Sequence, residues 1–125
     1  MVGQRRLEAP YLVAIEPAGS RVRAQIDGHV VADSDDVLVM HETYLPSQCY
    51  FPKAGLIDNL LVASPFRTFC PFKGTAHHWH LQLSDRTIEN AAWSYDAPLP
   101  DASRVGGYIA FYPRVVEELL SESPL

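Results

Sequence analysis

The stretch RVRAQIDGHVVADS (Arg21–Ser34) constrains the fold more than any other part of the chain. Its first half places apolar residues at every second position, namely Val22, Ala24 and Ile26. A period of two is typical of a β-strand with one buried face. Asp27-Gly28 follows and supplies the two positive-φ positions that a tight hairpin turn requires. The sequence therefore predicts a β-hairpin with His29–Ala32 as its second strand.

Short strand-like segments separated by turn residues continue along most of the chain. The further predicted strands are Val13–Pro17, Val37–Pro46, a short segment at Cys49–Pro52, Arg67–Gly74, a hairpin over Ala76–Tyr95, and Tyr108–Pro113. Leu56–Ser64 is ambiguous, since its leucines fit a helical turn but Pro65 ends it. The last segment, Arg114–Ser123, has a helical pattern and predicts a short C-terminal helix. We expect a mainly β, compact single domain of antiparallel strands, in one curved sheet or two packed ones.

Length and charge restrict the class of protein. The chain has 125 residues, enough for one domain, which we predict over residues 11–125 after a flexible N-terminal arm at residues 1–10. The net charge of −5 and the scattered basic residues argue against nucleic-acid binding. No apolar run resembles an export signal or a membrane span. We therefore expect a cytoplasmic protein with free thiols, although a Cys49–Cys70 bridge stays open.

The segment FCPFKG contains two candidate catalytic residues. Lys73 follows Cys70 by three positions and would favour its thiolate if the chain turns at Pro71. Cys70 would then be a nucleophile, and otherwise a small buried apolar residue. Lys73 itself is a candidate for anion binding or Schiff-base chemistry, and otherwise a surface lysine. Gly74 would let a ligand approach the backbone.

Carboxylates among aromatic residues extend this candidate site. In ENAAWSY, strand alternation puts Glu89 on the same face as Trp93 and Tyr95, where a buried carboxylate needs a partner such as Lys73 or Arg86. Glu89 is therefore a third candidate catalytic residue. A second such stretch, HETYLPSQCY, contributes two candidate ligand-binding residues, Glu42 and Tyr50. We expect these groups to line one pocket, together with Gly74, Trp93 and Tyr95.

Histidines are concentrated just after this segment, at His77, His78 and His80. Neighbouring side chains on a strand point to opposite faces, so only His78 and His80 would share one. Neither cysteine has a ligand partner at the spacing of a structural zinc site. We therefore expect no metal and no cofactor.

Several motifs, taken together, resemble a small bacterial family catalogued as domain of unknown function 427, which sometimes carries a nucleotidyltransferase-like label. VADS, YFP, CPFKGTA, ENAAWSY, PLP and GYIAFYP follow one another in that family's order and spacing, from about Arg21 to Pro113. The residues on its motifs are Cys70, Pro71, Lys73, Gly74, Trp79, Glu89, Asn90, Trp93, Tyr95, Pro98, Phe111 and Tyr112. The resemblance implies a bent antiparallel β fold of the β-tent (Mss4-like) group.

What the resemblance implies about activity is limited. Zinc-bearing domains and B-type methionine-sulfoxide reductases belong to the β-tent group, but their zinc cysteines have no counterparts in this chain. Nucleotidyl transfer needs carboxylates that hold a divalent metal. The candidates, Asp33, Asp35 and Asp36, lie in a turn without a phosphate-cradling glycine loop. The transferase label is therefore not carried over.

Three functions follow from the residues. The first is an uncharacterised domain that binds a small molecule, with catalysis left open, in a pocket lined by Cys70, Lys73, Glu89, Trp93 and Tyr95. The second is a non-catalytic module for protein interaction or homodimerisation through strand edges and aromatic surface. The third is a thiol redox protein that uses Cys70, with Cys49 as the resolving thiol.

Overall fold

The computed structural model describes residues 11–120, and the arm predicted over residues 1–10 lies outside the described residues. The strands, in chain order, are β1 (Val13–Pro17), β2 (Val22–Ile26), β3 (His29–Ser34), β4 (Leu38–Glu42), β5 (Gln48–Tyr50), β6 (Leu61–Cys70), β7 (Gly74–Gln82), β8 (Thr87–Ser94), β9 (Ile109–Phe111) and β10 (Glu117–Leu120). Two short 3-10 helices, Lys53–Gly55 and Pro100–Val105, lie between strands. The prediction of a mainly β domain is confirmed.

The strands form three antiparallel sheets, with the orders β1-β4-β5, β10-β2-β3 and β6-β7-β8-β9. A bridge from Ala32 to Leu56 joins β3 to the segment before β6, and a second bridge, from Phe51 to Ile109, links the sheet of β5 to the sheet of β9. The second bridge has two backbone hydrogen bonds, of 2.7 and 2.8 Å. The described strands together form one compact domain.

The hairpin predicted from the alternation is confirmed. β2 pairs with β3 so that Ile26 lies opposite His29, with Asp27 and Gly28 as the turn residues at φ +50° and +82°. Val22, Ala24 and Ile26 are buried, as a period of two requires. The two-residue turn sets the pairing next to it, and a bulge between Ala24 and Gln25 shifts the register of the rest of the hairpin by one residue.

Strand β6 corrects the expectation for Leu56–Ser64. Leu61 already belongs to β6, which continues through Pro65 to Cys70. A register shift between Ala63 and Arg67 places Pro65 in a bulge on an edge strand, where a missing N–H is tolerated. The Ser64 hydroxyl stabilises this bulge, since it accepts from the Phe66 amide at 3.1 Å and donates to the Asn90 side chain at 2.6 Å.

The predicted C-terminal helix is wrong over its described part. Glu117–Leu120 forms β10, which pairs antiparallel with β2, and residues 121–123 lie outside the described residues. A helix this short gains little stability by itself. The free edge of β2 offers ladder hydrogen bonds instead, and Gln25 donates to the Glu117 carboxylate at 3.1 Å.

The interior divides into two hydrophobic clusters. The larger one lies against the β2–β3 hairpin and includes Phe51, Leu81 and Phe111. The smaller one contains Leu38, Met40, Tyr50, Ala76, Tyr95, Ala102, Val105 and Ala110. This second cluster supports the candidate site described below. In the part of the chain that the structure describes, no helix has the length and apolar character needed to cross a membrane.

Candidate functional site

Several strand ends meet above the smaller hydrophobic cluster. Glu42 is the last residue of β4, Tyr50 the last of β5 and Cys70 the last of β6. Lys73 lies in the turn between β6 and β7, and Tyr95 directly follows β8. Cys70, Lys73 and Tyr95 lie at one rim of a sheet, because β7 runs antiparallel to both β6 and β8. Glu42 is joined to this rim through Lys73, whereas Tyr50 pairs with Leu38 at the opposite end of β4.

The centre of the site is an ion pair between Lys73 and Glu42. Lys73 Nζ donates to Glu42 Oε1 at 2.6 Å. The two side chains are only 12% and 7% exposed, respectively. An ion pair with so little solvent contact must be compensated by further interactions, because removing two charges from water is costly. We call this pair and the groups around it the Glu42–Lys73 cluster: Tyr11, Glu42, Tyr50, Cys70, Phe72, Lys73, Trp93 and Tyr95.

The Lys73 ammonium stays protonated in these surroundings. Burial by itself would lower its pKa, since it disfavours the charged form. The hydrogen bond to Glu42 and the electrostatic influence of Tyr95 and Glu42 outweigh burial, and the net pKa is raised. The ammonium also lies 5.7 Å from the centre of the Tyr95 ring, a cation–π contact.

Tyr11 forms a hydrogen bond with the other oxygen of the Glu42 carboxylate. Its hydroxyl donates to Glu42 Oε2, and its ring stacks on Phe72 with 4.1 Å between ring centres and 16° between planes. The hydrogen bond to Glu42, with burial as a smaller cause, raises the pKa of Tyr11 to about 12. Both carboxylate oxygens therefore have a donor, one charged and one neutral.

Two buried tyrosines and a tryptophan form the floor of the cluster. Trp93 Nε1 donates to the Tyr50 hydroxyl at 3.2 Å, and the two rings meet edge to face at 6.2 Å. Burial raises the pKa of both Tyr50 and Tyr95. These phenols are thus neutral hydrogen-bonding groups at physiological pH.

The turn that carries Lys73 is held rigidly. Gly74 has φ +109°, which other residues adopt only with strain, and a Cβ there would contact the backbone of Ala97 and Leu99 at 3.5 Å. The Lys73 amide donates to the Cys70 carbonyl at 3.2 Å, and the Leu99 amide donates to the Lys73 carbonyl at 2.9 Å. The glycine therefore supports the turn that directs Lys73 towards Glu42.

The two cysteines are free thiols in different surroundings. Cys70 is half-buried at the cluster, where its charge would raise the pKa of Lys73, Tyr11 and Tyr50. Cys49 instead packs on the larger hydrophobic cluster. Burial, followed by the charge of Glu118, raises the pKa of Cys49 to about 12.

Glu89 was the carboxylate predicted to pair with Lys73, but in the structure Lys73 forms its ion pair with Glu42. Strand alternation is interrupted at Asn90, which has φ +50°, and Glu89 is exposed. Among residues 11–120, Glu89 has no hydrogen-bond or ion-pair partner, and Arg86 binds Asp27 instead. The pairing of β7 with β8 shifts in register between Trp79 and Leu81, opposite this part of β8. Asn90 there accepts a hydrogen bond from Ser64 on β6, a contact that strand alternation cannot reveal.

Two of the histidines after the turn, His78 and His80, form hydrogen bonds with neighbouring strands of the sheet. His78 is buried and its Nε2 lies 3.0 Å from the Thr68 hydroxyl. Burial lowers the pKa of His78. His80 Nδ1 accepts from the Asn90 amide at 3.1 Å. Within the described range, no three His, Cys, Asp or Glu side chains are grouped as a metal site requires.

The acidic turn after β3 lines a separate concavity of about 310 Å³. Asp33 is bound by Arg21 at 2.7 Å, and the hydrogen bond from Arg21 lowers its pKa. Arg23 also contacts Asp33, at 3.5 Å. This carboxylate is thus neutralised by arginines within the hairpin, as expected for a structural ion pair on a partly exposed surface.

Two members of the Glu42–Lys73 cluster were missed as site residues from the sequence. Tyr11 precedes the first strand and has no motif around it. Phe72 belongs to the FCPFKG segment but was noted only as a flank of Cys70. The signal that points to Phe72 is an aromatic residue inside a turn, where it lacks a strand face to pack on; Tyr11 carried no signal of its own.

The fold and the site define a class: small, mainly β domains of antiparallel sheets with a nearly buried lysine–glutamate pair among aromatic side chains. The chain belongs to the family described as Domain of unknown function (DUF427), whose family model matches residues 14–122. The resemblance found in the sequence motifs is thereby confirmed. No curated protein is similar enough to the chain to count as a match.

Proposed function

We propose that this protein binds a small molecule at the Glu42–Lys73 cluster. The observation that carries the proposal is the ion pair at 2.6 Å, whose side chains are 12% and 7% exposed. Replacing such a pair by apolar residues is often neutral or stabilising for a fold. Ionisable side chains whose pKa is shifted by burial and a specific charged partner are found preferentially at functional sites, and Lys73 is one of them.

The chemistry of the pair indicates what kind of ligand it suits. The ammonium and the carboxylate neutralise each other, so a charged ligand would gain little net attraction. A neutral molecule with a hydrogen-bond acceptor beside a donor fits better, because the acceptor binds Lys73 and the donor binds Glu42. The raised pKa of Lys73 also argues against Schiff-base chemistry, which requires the unprotonated amine.

The proposal extends to catalysis on the bound molecule at the same site. Cys70 would add its thiolate to a carbonyl carbon of the ligand, and Lys73 would donate to the oxygen that becomes negative. Glu42 would hold the ammonium in place. Glu89, the third catalytic candidate from the sequence, is exposed on β8, so any role for it would require contact with a ligand that extends beyond the cluster.

The test is a fragment titration followed by NMR chemical shifts of backbone amides. A set of neutral amides, lactams and hydroxy amides is added to the wild-type chain and to Lys73→Arg. The arginine keeps the charge but moves the donors, so we expect binding to weaken by about tenfold or more. Lys53→Arg is the matched control because this exposed lysine lies outside the cluster.

Two outcomes contradict the proposal. One is the absence of any fragment whose shifts centre on residues around Lys73. The other is equal affinity for wild type and Lys73→Arg, which would mean that the ammonium does not contact the fragment. Unfolding midpoints of the variants, measured in parallel, separate loss of binding from loss of fold.

A second candidate, homodimerisation, is favoured by exposed apolar side chains. On the edge strand β6, Val62, Phe66 and Phe69 are 47%, 48% and 71% exposed. Exposed edge strands are templates for pairing with another chain. Light scattering over a range of concentrations tests this idea. A mass that stays monomeric at the highest concentration would contradict it, as would a dimer unaffected by Phe69→Ser.

The redox function has less physical support. A resolving cysteine attacks as a thiolate, and the pKa of Cys49 is raised to about 12. At neutral pH its thiolate is therefore scarce. The free thiols agree with the cytoplasmic location proposed from the sequence, since disulfides are rare in reducing compartments.

A further inference from the structure

We infer that Tyr11 occupies the place of the ligand's own ring, so that the molecule bound at Glu42–Lys73 is a small aromatic compound with a hydroxyl group on the ring. This inference rests on the proposed function and narrows it to one substrate class. Tyr11 is then an internal competitor that the ligand displaces.

The contacts of Tyr11 are those that a phenolic ligand would make. Its ring lies flat against Phe72, with 4.1 Å between centres, and its hydroxyl donates to Glu42 Oε2. The second oxygen of the carboxylate is fixed by Lys73. One flat apolar surface and one oriented acceptor therefore define a slot for an aromatic ring with a single donor.

Tyr11 can leave this slot without breaking a sheet. It lies outside β1, which begins at Val13. The chain is anchored one residue later, where the Leu12 amide donates to the Thr43 hydroxyl at 2.8 Å and the Thr43 amide donates to the Leu12 carbonyl at 3.1 Å. Rotation about the Tyr11 backbone would uncover Phe72 and Glu42 while these hydrogen bonds stay in place.

The slot selects a donor over an acceptor. Glu42 Oε2 is a carboxylate oxygen and can only accept, so a ring ether would leave it unpaired in a largely buried place. An ionised ring substituent such as a carboxylate would be repelled by the same oxygen. A neutral hydroxyl satisfies it. The high pKa of Tyr11, about 12, agrees with a phenol that keeps its proton there.

The experiment compares p-cresol with 4-methylanisole, which has the same ring but lacks the hydroxyl proton. Both are titrated into the wild-type chain, Tyr11→Gly and Tyr11→Gly/Glu42→Gln, with amide chemical shifts as the readout. Tyr44→Gly is the matched control, because Tyr44 is 81% exposed and has φ +70°, which glycine tolerates.

We expect p-cresol to bind the wild-type chain and to bind Tyr11→Gly about tenfold more tightly or better, since an internal competitor lowers apparent affinity by the fraction of open sites. The Tyr44→Gly chain should match wild type. 4-Methylanisole should bind all variants weakly. Glu42→Gln in the Tyr11→Gly background should reduce the affinity for p-cresol.

Three results would overturn the inference: no p-cresol binding to wild type, equal p-cresol affinity of wild type and Tyr11→Gly, or equal affinity for p-cresol and 4-methylanisole. If p-cresol fails while neutral amides still bind in a Lys73-dependent way, the proposed function stands and only the aromatic hydroxyl class is wrong. If both fragment types fail, the proposed function fails as well.

Discussion

Among the described residues, Glu42 is nearly buried and Glu118 is partly buried, and the surroundings of these two carboxyl groups differ. Glu42 has a donor on each oxygen, Lys73 on one and Tyr11 on the other. Glu118 on β10 interacts with the Cys49 thiol, and its Oε2 is buried without a hydrogen-bond partner. Both have lost water, but each oxygen of Glu42 has a replacement donor, whereas Glu118 has one partner, the Cys49 thiol.

The comparison shows that two interior carboxyl groups of one fold differ in the partners that replace their lost hydration. Burial raises the pKa of Glu118 to about 7, and the hydrogen bond with Cys49 opposes this only in part. Around Glu42, the ammonium and the phenol replace the lost hydration. Glu118 therefore changes its charge near neutral pH, whereas the Glu42 carboxylate is bound by a donor on each oxygen.

The largest expected difference between the regions is in thiol reactivity. A pKa near 12 leaves Cys49 with about a thousandfold less thiolate at pH 8 than an ordinary cysteine. In the Cys70→Ser chain, the remaining Cys49 should therefore react very slowly with iodoacetamide, followed by mass spectrometry. Cys49→Ser, which keeps Cys70, is the matched chain and should react faster. Equal alkylation rates of the two chains would contradict a raised pKa of Cys49.

Removing the cation from the first region should cost the most stability. Lys73→Met leaves Glu42 without its counter-charge, and we expect the free energy of unfolding to fall by about 3 kcal/mol. Lys53→Met should change it by less than about 0.5 kcal/mol, as for an exposed side chain. Urea unfolding measures both.

The double variant Lys73→Met/Glu42→Leu sharpens this result. It removes both charges, so it should regain most of the stability lost in Lys73→Met. A double variant as unstable as the single one would mean that packing, rather than an unpaired charge, causes the loss.

Removing the charge of Glu118 should have the opposite effect on the free energy of unfolding from removing the charge of Lys73. Because the folded-state pKa of Glu118 is about 7 and its ordinary value is 4.5, the folded state holds the proton more tightly. Its stabilising effect is full below pH 4.5 and is lost as the pH rises through 7. Glu118→Gln should therefore raise stability by about 2 kcal/mol at pH 8, and change it little at pH 4.

Glu117→Gln is the control for that measurement, since Glu117 is the exposed neighbour on β10. Urea unfolding across pH 4 to 8 should show the same slope in this control as in wild type. Should Glu118→Gln keep the wild-type pH dependence, Glu118 would not be the titrating group, and the contrast with Glu42 would disappear.

The smallest predicted effect concerns the hydrogen bond between Trp93 and Tyr50, two neutral side chains of the Glu42–Lys73 cluster. Tyr50→Phe removes the acceptor of Trp93 Nε1 and should lower stability by about 1 kcal/mol. Tyr44→Phe, at an exposed tyrosine, should have no measurable effect. Thermal unfolding of the two variants gives the difference. A loss as large as that of Lys73→Met would indicate that the aromatic floor, and not the ion pair, dominates this site.

Much of the local structure was predictable from the sequence. Alternating residues and Asp27-Gly28 were sufficient for the β2–β3 hairpin, because both signals act within a few residues. The turn at Pro71–Gly74 and the aromatic residues near it were also recognised as a candidate site. Strand β10 was not predicted, since it forms its hydrogen bonds with β2, which lies near the other end of the sequence.

The sequence by itself determined the β class, the hairpin and the residue types available for chemistry, because periodicity and turn residues act locally. Only the tertiary structure decided that Lys73 binds Glu42 and not Glu89, that Tyr11 covers the pair, and that Glu118 is left with an unpaired oxygen. These outcomes depend on which strand ends meet and where a bulge lies. Contacts between distant segments set both, and no spacing within the chain encodes them.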